Sequence, residues 1–207
     1  MTPALAVIAK APVPGRVKTR LCPPYTRAEA AALAEAALRD TLAAVRAVRG
    51  VRRVVVLDGA PGRWLGPGIA VIPQRGGDLG ERLAAAFADL GGPALVVGMD
   101  TPQLEPGHLR RALAALARHD AVLGPALDGG YWGIGLVAPE PAVFAGVPMS
   151  RPDTCARQRA RLRELGLSWE EREPLRDVDD AASARAVAAA IPGSAFARAL
   201  GLVSAAA

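Results

Sequence analysis

The sequence predicts an α/β fold of the three-layer, Rossmann-like kind, built on a mixed, mostly parallel sheet. Three observations lead there. Short apolar runs alternate with longer alanine-rich segments, the pattern of repeated β-α units. The runs, among them Leu5-Ala6-Val7-Ile8 and Ala94-Leu95-Val96-Val97, are apolar throughout, as strands covered on both faces are. Late in the chain, two strand-like runs follow one another across a Gly-Gly turn, which adds one antiparallel strand. Neither a repeat nor a linker interrupts the 207 residues, so residues 1–207 are read as a single domain. The chain is 51% apolar and only 4% aromatic, so a sizeable core is expected to rest on aliphatic packing.

The elements follow in order. Leu5 to Ala9 is the first strand. Thr26 to about Val48 is a long helix, opened by a capping box of Thr26 with Glu29 three residues on. Arg53 to Leu57 and Ile69 to Pro73 are the next strands. Asp78 to Leu90 is a helix with Asp78 as N-cap, Glu81 at N3 and Gly91 past its end. Ala94 to Gly98 is a buried strand and Pro106 to Arg118 a helix. Ala121 to Ala126 and Tyr131 to Val137 are the strand pair. Ser150 to Leu165 is a helix capped by Ser150 and stopped by Gly166. A short strand is expected from Leu167 to about Glu173, then a helix from Asp180 to Ala190 and another near Ala195 to Leu200.

Composition narrows the function classes. Two cysteines (Cys22, Cys155) and two histidines (His108, His119), with no CxxC or Cys/His cluster, argue against a zinc site. Free thiols in a reducing cytoplasm are expected. The first apolar run is too short for a signal segment or a bilayer span, so a cytoplasmic protein without membrane association is expected. The net charge of +5 favours anionic partners, whether nucleotides, phosphorylated metabolites or nucleic acid.

The first chemistry-bearing segment is the loop leaving the first strand. It holds the only two lysines, Lys10 and Lys18, together with Arg16 and Arg20. A lysine ammonium is a compact point charge suited to phosphate and not interchangeable with a guanidinium. Four cations there, with Gly15 permitting close backbone approach, read as a cradle for a diphosphate or triphosphate; the alternative is a solvated basic loop. The glycine spacing is not that of a Walker A loop. Asp100, ending the run Ala94 to Gly98, is placed to hold Mg²⁺, with a turn-forming aspartate as the alternative. Asp177-Val178-Asp179-Asp180 concentrates three acids that need a counter-charge, and either a cation or the start of the next helix would supply it. Asp128-Gly129-Gly130-Tyr131 is a hairpin signal whose glycine backbone could also lie against a substrate. Gln74 to Arg82 is a glycine-rich helix entry able to meet an anion or a base. Arg151, Arg157, Arg159, Arg161 and Arg163 read as a solvated helix face.

These segments, in this order, resemble the nucleotide-diphospho-sugar transferase superfamily, with its GT-A type fold. The run Lys10-Ala11-Pro12-Val13-Pro14-Gly15-Arg16-Val17-Lys18-Thr19-Arg20-Leu21 is similar to the opening signature of a bacterial glycosyltransferase family associated with radical-SAM and arsenosugar clusters. Gly77-Asp78-Leu79-Gly80-Glu81-Arg82, Asp100-Thr101-Pro102, Asp128-Gly129-Gly130-Tyr131 and Asp177-Val178-Asp179 are similar to its later ones. The opening run also resembles those of phospholactate and molybdenum-cofactor guanylyltransferases. The resemblance implies a divalent metal, Mg²⁺ or Mn²⁺, on Asp100 and Asp179. It implies nucleotide contacts from Lys10, Pro12, Gly15, Arg16, Lys18, Thr19 and Arg20, and from Gln74, Gly77, Gly80 and Arg82. Acceptor contacts are expected from Asp128, Gly129, Gly130, Tyr131 and Ser150. Two departures stand out: Met149-Ser150-Arg151 where the family has Trp-Ser-Thr, and Thr101 where it tends to have Cys or Ser.

The expected activity is a metal-dependent transfer from a nucleotide, with Lys18, Arg20 and Asp100 as the catalytic residues. Nucleotidyl transfer from an NTP to a small phosphorylated acceptor, releasing pyrophosphate, is favoured by the cation-rich loop. Glycosyl transfer from a nucleotide sugar is the alternative. A basic nucleic-acid-binding module is a remote one, lacking aromatic stacking platforms. The expected partners are a nucleotide and a small acceptor, without nucleic acid or membrane; a homodimer is left open.

Overall fold

The computed structural model describes residues 1–205, with seven strands joined into one sheet. β1 (Ala4–Lys10), β2 (Arg52–Asp58), β3 (Ala70–Pro73) and β4 (Ala94–Gly98) are parallel. β6 (Tyr131–Leu136) runs antiparallel between β4 and β5 (Ala121–Pro125), and β7 (Trp169–Glu171) lies parallel to β5. The order is β3-β2-β1-β4-β6-β5-β7, so β6 is the one reversed strand, as the turn between the two late runs implied.

Strand side chains alternate between two layers. Leu5, Val7, Val55, Leu57, Leu95 and Val97 face α1 (Arg27–Arg46) and α3 (Pro106–Ala115). Ala4, Ala6, Val54, Val56 and Val96 face α2 (Leu79–Leu90) and α4 (Thr154–Glu164), where Phe87 stacks on Phe144. The near-continuous apolar strands are therefore buried on both faces, the condition for a mostly parallel sheet. A third cluster joins α5 (Ala181–Ala190) and α6 (Ala195–Ala205) to the outer side of α1: Leu21, Leu33, Val178, Val187, Phe196 and Leu200 are all buried together.

Caps behave as local chemistry dictates. Thr26 and Glu29 close the capping box of α1, Asp78 accepts from Glu81 N, and Asp180 accepts from Ser183 N at 2.7 Å. One helix start is capped from a distance. The Asp40 carboxylate on α1 accepts from Ala195 N at 3.0 Å and Phe196 N at 2.8 Å. α6 runs to Ala205 rather than ending near Leu200, with Val203 packed against the third cluster.

The expected helix from Ser150 is a correction. α4 begins only at Thr154, and Ser150 takes a left-handed backbone (φ 58°) instead of capping it. Pro152 bars helical geometry at Arg151. The Thr154 hydroxyl then accepts from Arg151 N at 3.0 Å and donates to Pro148 O at 2.8 Å, fixing residues 148–154 as a loop. α3 also stops short of Arg118.

Because β1 to β4 are parallel, their carboxyl ends share one edge. β1 has β2 on one side and β4 on the other, and the crevice where strand order reverses is where open α/β sheets bind ligands. The reversed β6 starts at this same edge, which brings the 127–130 turn to it.

Phe196 is fully buried between α1, α5 and α6. Phe196→Ala is expected to lower stability by about 3–5 kcal/mol through cavity formation. In urea denaturation followed by circular dichroism, one shifted transition is expected if residues 1–207 form a single domain; a separate early transition would mark α5 and α6 as a unit of their own.

Candidate functional site

A cleft of about 830 Å³ opens at the carboxyl ends of β1 and β4. Of the residues the sequence singled out, Lys10, Arg16, Lys18, Thr19, Arg20, Gln74, Gly77, Arg82, Asp100, Asp128, Gly130, Tyr131, Ser150 and Asp179 line it. Six chain segments far apart in sequence thus converge on one space. The convergence has an apolar cause: Leu21, beyond the basic loop, and Val178, within the acidic loop, are buried in the same cluster. Val178 N also donates to Asp100 O at 2.9 Å, and Leu127 N to Leu175 O at 2.9 Å, tying the acidic loop to both the β4 end and the hairpin.

The centre of the cleft is an ionic triangle. Lys18 Nζ lies 2.9 Å from Asp100 Oδ1 and 3.5 Å from Asp179 Oδ1, and it donates to Val178 O. The lysine side chain is 9% exposed, whereas the two carboxylates are 38% and 39% exposed, so the ammonium sits beneath them. Its backbone is left-handed (φ 48°, ψ 38°), opening a short 3-10 turn over Thr19–Leu21. Arg20 reaches the other oxygen of Asp179 at 3.3 Å from the solvent side. Lys18 was expected to meet phosphate directly; in this structure its partners are the two carboxylates expected to hold the metal.

Asp177, two residues before Asp179, plays a different part. Its Oδ1 accepts from the Thr101 hydroxyl at 2.9 Å, linking the acidic loop to the residue after Asp100. Burial first, and the nearby Asp100 and Asp128 charges, push its carboxyl up to about 7, against the Thr101 hydrogen bond and Lys18, which pull it down. The third aspartate, Asp180, caps α5. The acidic run therefore divides its labour: Asp177 braces the loop, Asp179 faces the cleft and Asp180 starts a helix.

The remaining cations differ in how far they are committed. Arg82 Nη1 pairs with Asp58 at 3.0 Å and donates to Gln74 Oε1 at 3.1 Å, while Gln74 Nε2 donates to Ala9 O at 2.7 Å. Gln74 and Arg82 thus brace the ends of β1 and β2 as well as lining the cleft. Asp58, the last residue of β2, is the partner that sequence reading missed. Arg75 turns away to Asp89, 3.2 Å from Nε to Oδ2. Lys10 and Arg16 line the cleft with no carboxylate partner among the described residues.

Four expected contacts lie outside the cleft lining: Pro12, Gly15, Gly80 and Gly129. Gly80 is buried in the first turn of α2, near Phe144 O and Met149. Gly129 (φ 91°) lies where a Cβ would meet Pro152 O at 1.9 Å, and its carbonyl accepts from Cys155 N at 2.8 Å. Its role is to dock the hairpin on the 148–154 loop. Asp128 Oδ1 accepts from Gly130 N at 2.9 Å, an Asx turn that fixes the hairpin while the carboxylate still lines the cleft.

Across from the basic loop, the 148–154 loop supplies Met149, Ser150, Arg151 and Thr154 to the lining. Arg151 is 64% exposed and reaches Asp153 at 3.4 Å. It was hidden in the sequence among the helix arginines. Those, by contrast, form an ion-paired face: Arg157 with Asp153, Arg159 with Glu171 and Arg161 with Glu164. Tyr131 and Met149 close the floor, with the Tyr131 hydroxyl 3.5 Å from Met149 Sδ, and burial raises that phenol's pKa.

No group of three or more His, Cys, Asp or Glu side chains stands together among the described residues. Asp100 and Asp179, both on Lys18 Nζ and both part-exposed to the cleft, are a two-carboxylate donor set. That set fits Mg²⁺ or Mn²⁺ of the kind that keeps several waters and takes its other ligands from phosphate. No described helix is long and apolar enough to cross a membrane.

The pH dependence of Asp177 can be read from these contacts. Its folded-state pKa, about 7, is above the 3.8 of a free aspartate. The folded state then holds the proton more tightly, so stability is greatest below pH 4 for this group and falls as pH rises through 7. Asp177→Asn keeps an acceptor for Thr101 and does not titrate. In EDTA, its melting temperature is expected to gain on that of the wild type between pH 4 and pH 8; parallel curves would place the Asp177 carboxyl at an ordinary pKa.

With the geometry described, the chain can be compared with known proteins. No curated protein matches it. Its structure is similar to that of a provisionally named nucleotide-diphospho-sugar transferase from Desulfovibrio desulfuricans G20, at 26% identity over 98% of this chain and 95% of that one, with a TM-score of 0.87. It also shares its fold with CMP:2-keto-3-deoxy-manno-octonic acid synthetase in complex with CTP: 12% identity, 93% and 99% coverage, TM-score 0.61. A further likeness of fold is to glucosyl-3-phosphoglycerate synthase from Mycobacterium tuberculosis, in complex with Mn²⁺, UDP and glucosyl-3-phosphoglycerate: 12% identity, 85% and 70% coverage, TM-score 0.52. Residues 33–151 match the family model described as an uncharacterized protein conserved in bacteria, DUF2064. The chain belongs to that bacterial family, DUF2064, and has the fold of the nucleotide-diphospho-sugar transferase superfamily.

Proposed function

We propose that the protein is a metal-dependent, nucleotide-using transferase that moves a nucleotidyl group from an NTP to a small phosphorylated acceptor. The observation that carries this reading is the charge distribution of the cleft. Six cations line it (Lys10, Arg16, Lys18, Arg20, Arg82, Arg151), set around the carboxylates of Asp100 and Asp179. An acceptor oxygen would attack the α-phosphorus, the bond to the bridging oxygen of the β-phosphate would break, and pyrophosphate would leave. A triphosphate and its leaving group carry more negative charge than a sugar nucleotide, and an array of cations stabilises that charge.

Within this reading Asp100 and Asp179 hold Mg²⁺ or Mn²⁺, which when bound polarises phosphate oxygens. Lys10 and Arg16, free of carboxylate partners, bind the phosphate chain. Arg20 neutralises charge on the leaving group from the solvent side. Gln74 and Arg82, braced by Asp58, hold the nucleotide end of the cleft in shape. Asp128, Tyr131, Ser150 and Arg151 form the acceptor end. An ionised phosphate acceptor needs no base, and Arg151 offers it a counter-charge.

One observation favours glycosyl transfer as a second reading. Asp128 is a carboxylate at the acceptor end, where a hydroxyl acceptor would need a general base. The name of one neighbour, a nucleotide-diphospho-sugar transferase, points the same way for that protein.

The product decides between them. Pyrophosphate released from a labelled NTP is expected, and a nucleoside diphosphate released from a sugar nucleotide would replace the first reading by the second. Asp100→Asn is expected to abolish Mg²⁺-dependent turnover while leaving the circular dichroism spectrum unchanged; full activity in excess EDTA would remove the metal from the reaction. Arg16→Ala removes one charge-assisted phosphate contact, worth about 1.5–3 kcal/mol, so NTP affinity should fall roughly tenfold to a hundredfold in calorimetry.

A further inference from the structure

We propose that Lys18 is a place-holding cation: it keeps the space between Asp100 and Asp179 until a metal–nucleotide complex displaces it, so that the metal enters with the nucleotide and not before it. The proposal rests on the metal-dependent reading above and extends it to the order of binding.

The geometry is the argument. Lys18 Nζ touches both carboxylates, at 2.9 and 3.5 Å, and also donates to Val178 O. Its three donor positions are thereby used by three acceptors of the site itself. A divalent ion seeking the same two carboxylates meets a positive charge already between them. To bind alone, it must separate the ammonium from its partners and leave it in a cleft that also holds the cations Arg20 and Arg16. A nucleotide changes this balance. Its phosphates arrive with the metal and give the displaced ammonium new anionic partners. Lysine suits such an exchange, because it is a point charge on a flexible four-carbon stem rather than a rigid planar fork.

Two further features fit. Lys18 is the deeper member of the triangle, with the carboxylates more exposed than the ammonium, so an incoming ion meets the carboxylates first. The loop that carries Lys18 is anchored by Leu21 in the cluster that holds Val178. The exchange can then proceed by side-chain movement while both backbones stay in place. Metal and nucleotide become coupled ligands, each raising the affinity for the other by the same factor.

The test uses Mn²⁺ as an ion visible by electron paramagnetic resonance, titrated into the full chain with and without ATP, GTP, CTP or UTP and no acceptor. The wild type is expected to bind Mn²⁺ weakly alone and tightly with the nucleotide that fits. Lys18→Gln keeps an amide donor for Val178 O and removes the charge. It is expected to bind free Mn²⁺ on the order of tenfold to a hundredfold more tightly, the equivalent of one charge-assisted contact relieved. Lys18→Arg, which keeps a cation there, should stay weak. If Lys18→Gln does not fold, Lys18→Ala serves for the same comparison.

Free Mn²⁺ bound no more tightly by the Lys18→Gln protein than by the wild type would overturn the proposal. So would a wild type that binds free Mn²⁺ as tightly as it does beside a nucleotide. In either case the metal site itself stands if Mn²⁺ binding is lost in Asp100→Asn. If neither protein binds Mn²⁺ under any condition, the metal-dependent reading falls, and the proposal falls with it.

Discussion

The site depends on one ionic contact across the molecule: Lys18, from the loop after the first strand, against Asp100 and Asp179. Opposite charges at 3–4 Å in a half-shielded cleft attract strongly, while two carboxylates without a cation between them repel. The pairing therefore does two things at once. It fixes the basic loop over the end of β4, and it sets a positive charge between two acids that face one cleft. The apolar clustering of Leu21 with Val178 makes this possible by bringing residues 160 positions apart to the same edge of the sheet.

Around that contact the cations fall into two kinds. Lys18, Arg20 and Arg82 are paired with carboxylates of the protein itself, Asp100, Asp179 and Asp58. Lys10 and Arg16 have no such partner among the described residues. The side of the cleft across from the basic loop owes its position to the reversed strand. β6 begins where β1 and β4 end, so its turn delivers Asp128 and Tyr131 to the cleft, and Gly129 locks that turn to the 148–154 loop.

Much of the fold was legible in the sequence because its signals are local. Strand runs, the Thr26–Glu29 capping box and the Asp78 cap each rest on residues within a few positions of one another. The reversal of β6 also followed from a local turn. What failed were readings in which a distant partner decides. Ser150 was expected to cap α4, yet Pro152 and the Thr154 hydroxyl shape a loop there. α6 outlasts its expected end, where Val203 packs against the cluster it shares with α1 and α5.

The same division holds for the site. The sequence by itself determined which segments stand out, since a basic loop, strand-end Asp100 and an acidic run need no neighbour to be noticed, and these segments meet at the cleft. Tertiary structure alone decided what each residue does there. Gly129 became a packing residue because the Pro152 backbone presses against it. Asp177, Asp179 and Asp180, three like charges in one run, were separated into brace, cleft carboxylate and helix cap by what lay beside each: Thr101, Lys18 and Ser183. Charge and size are properties of a residue, but a pairing is a property of the space between two residues, and only the folded chain fixes that space.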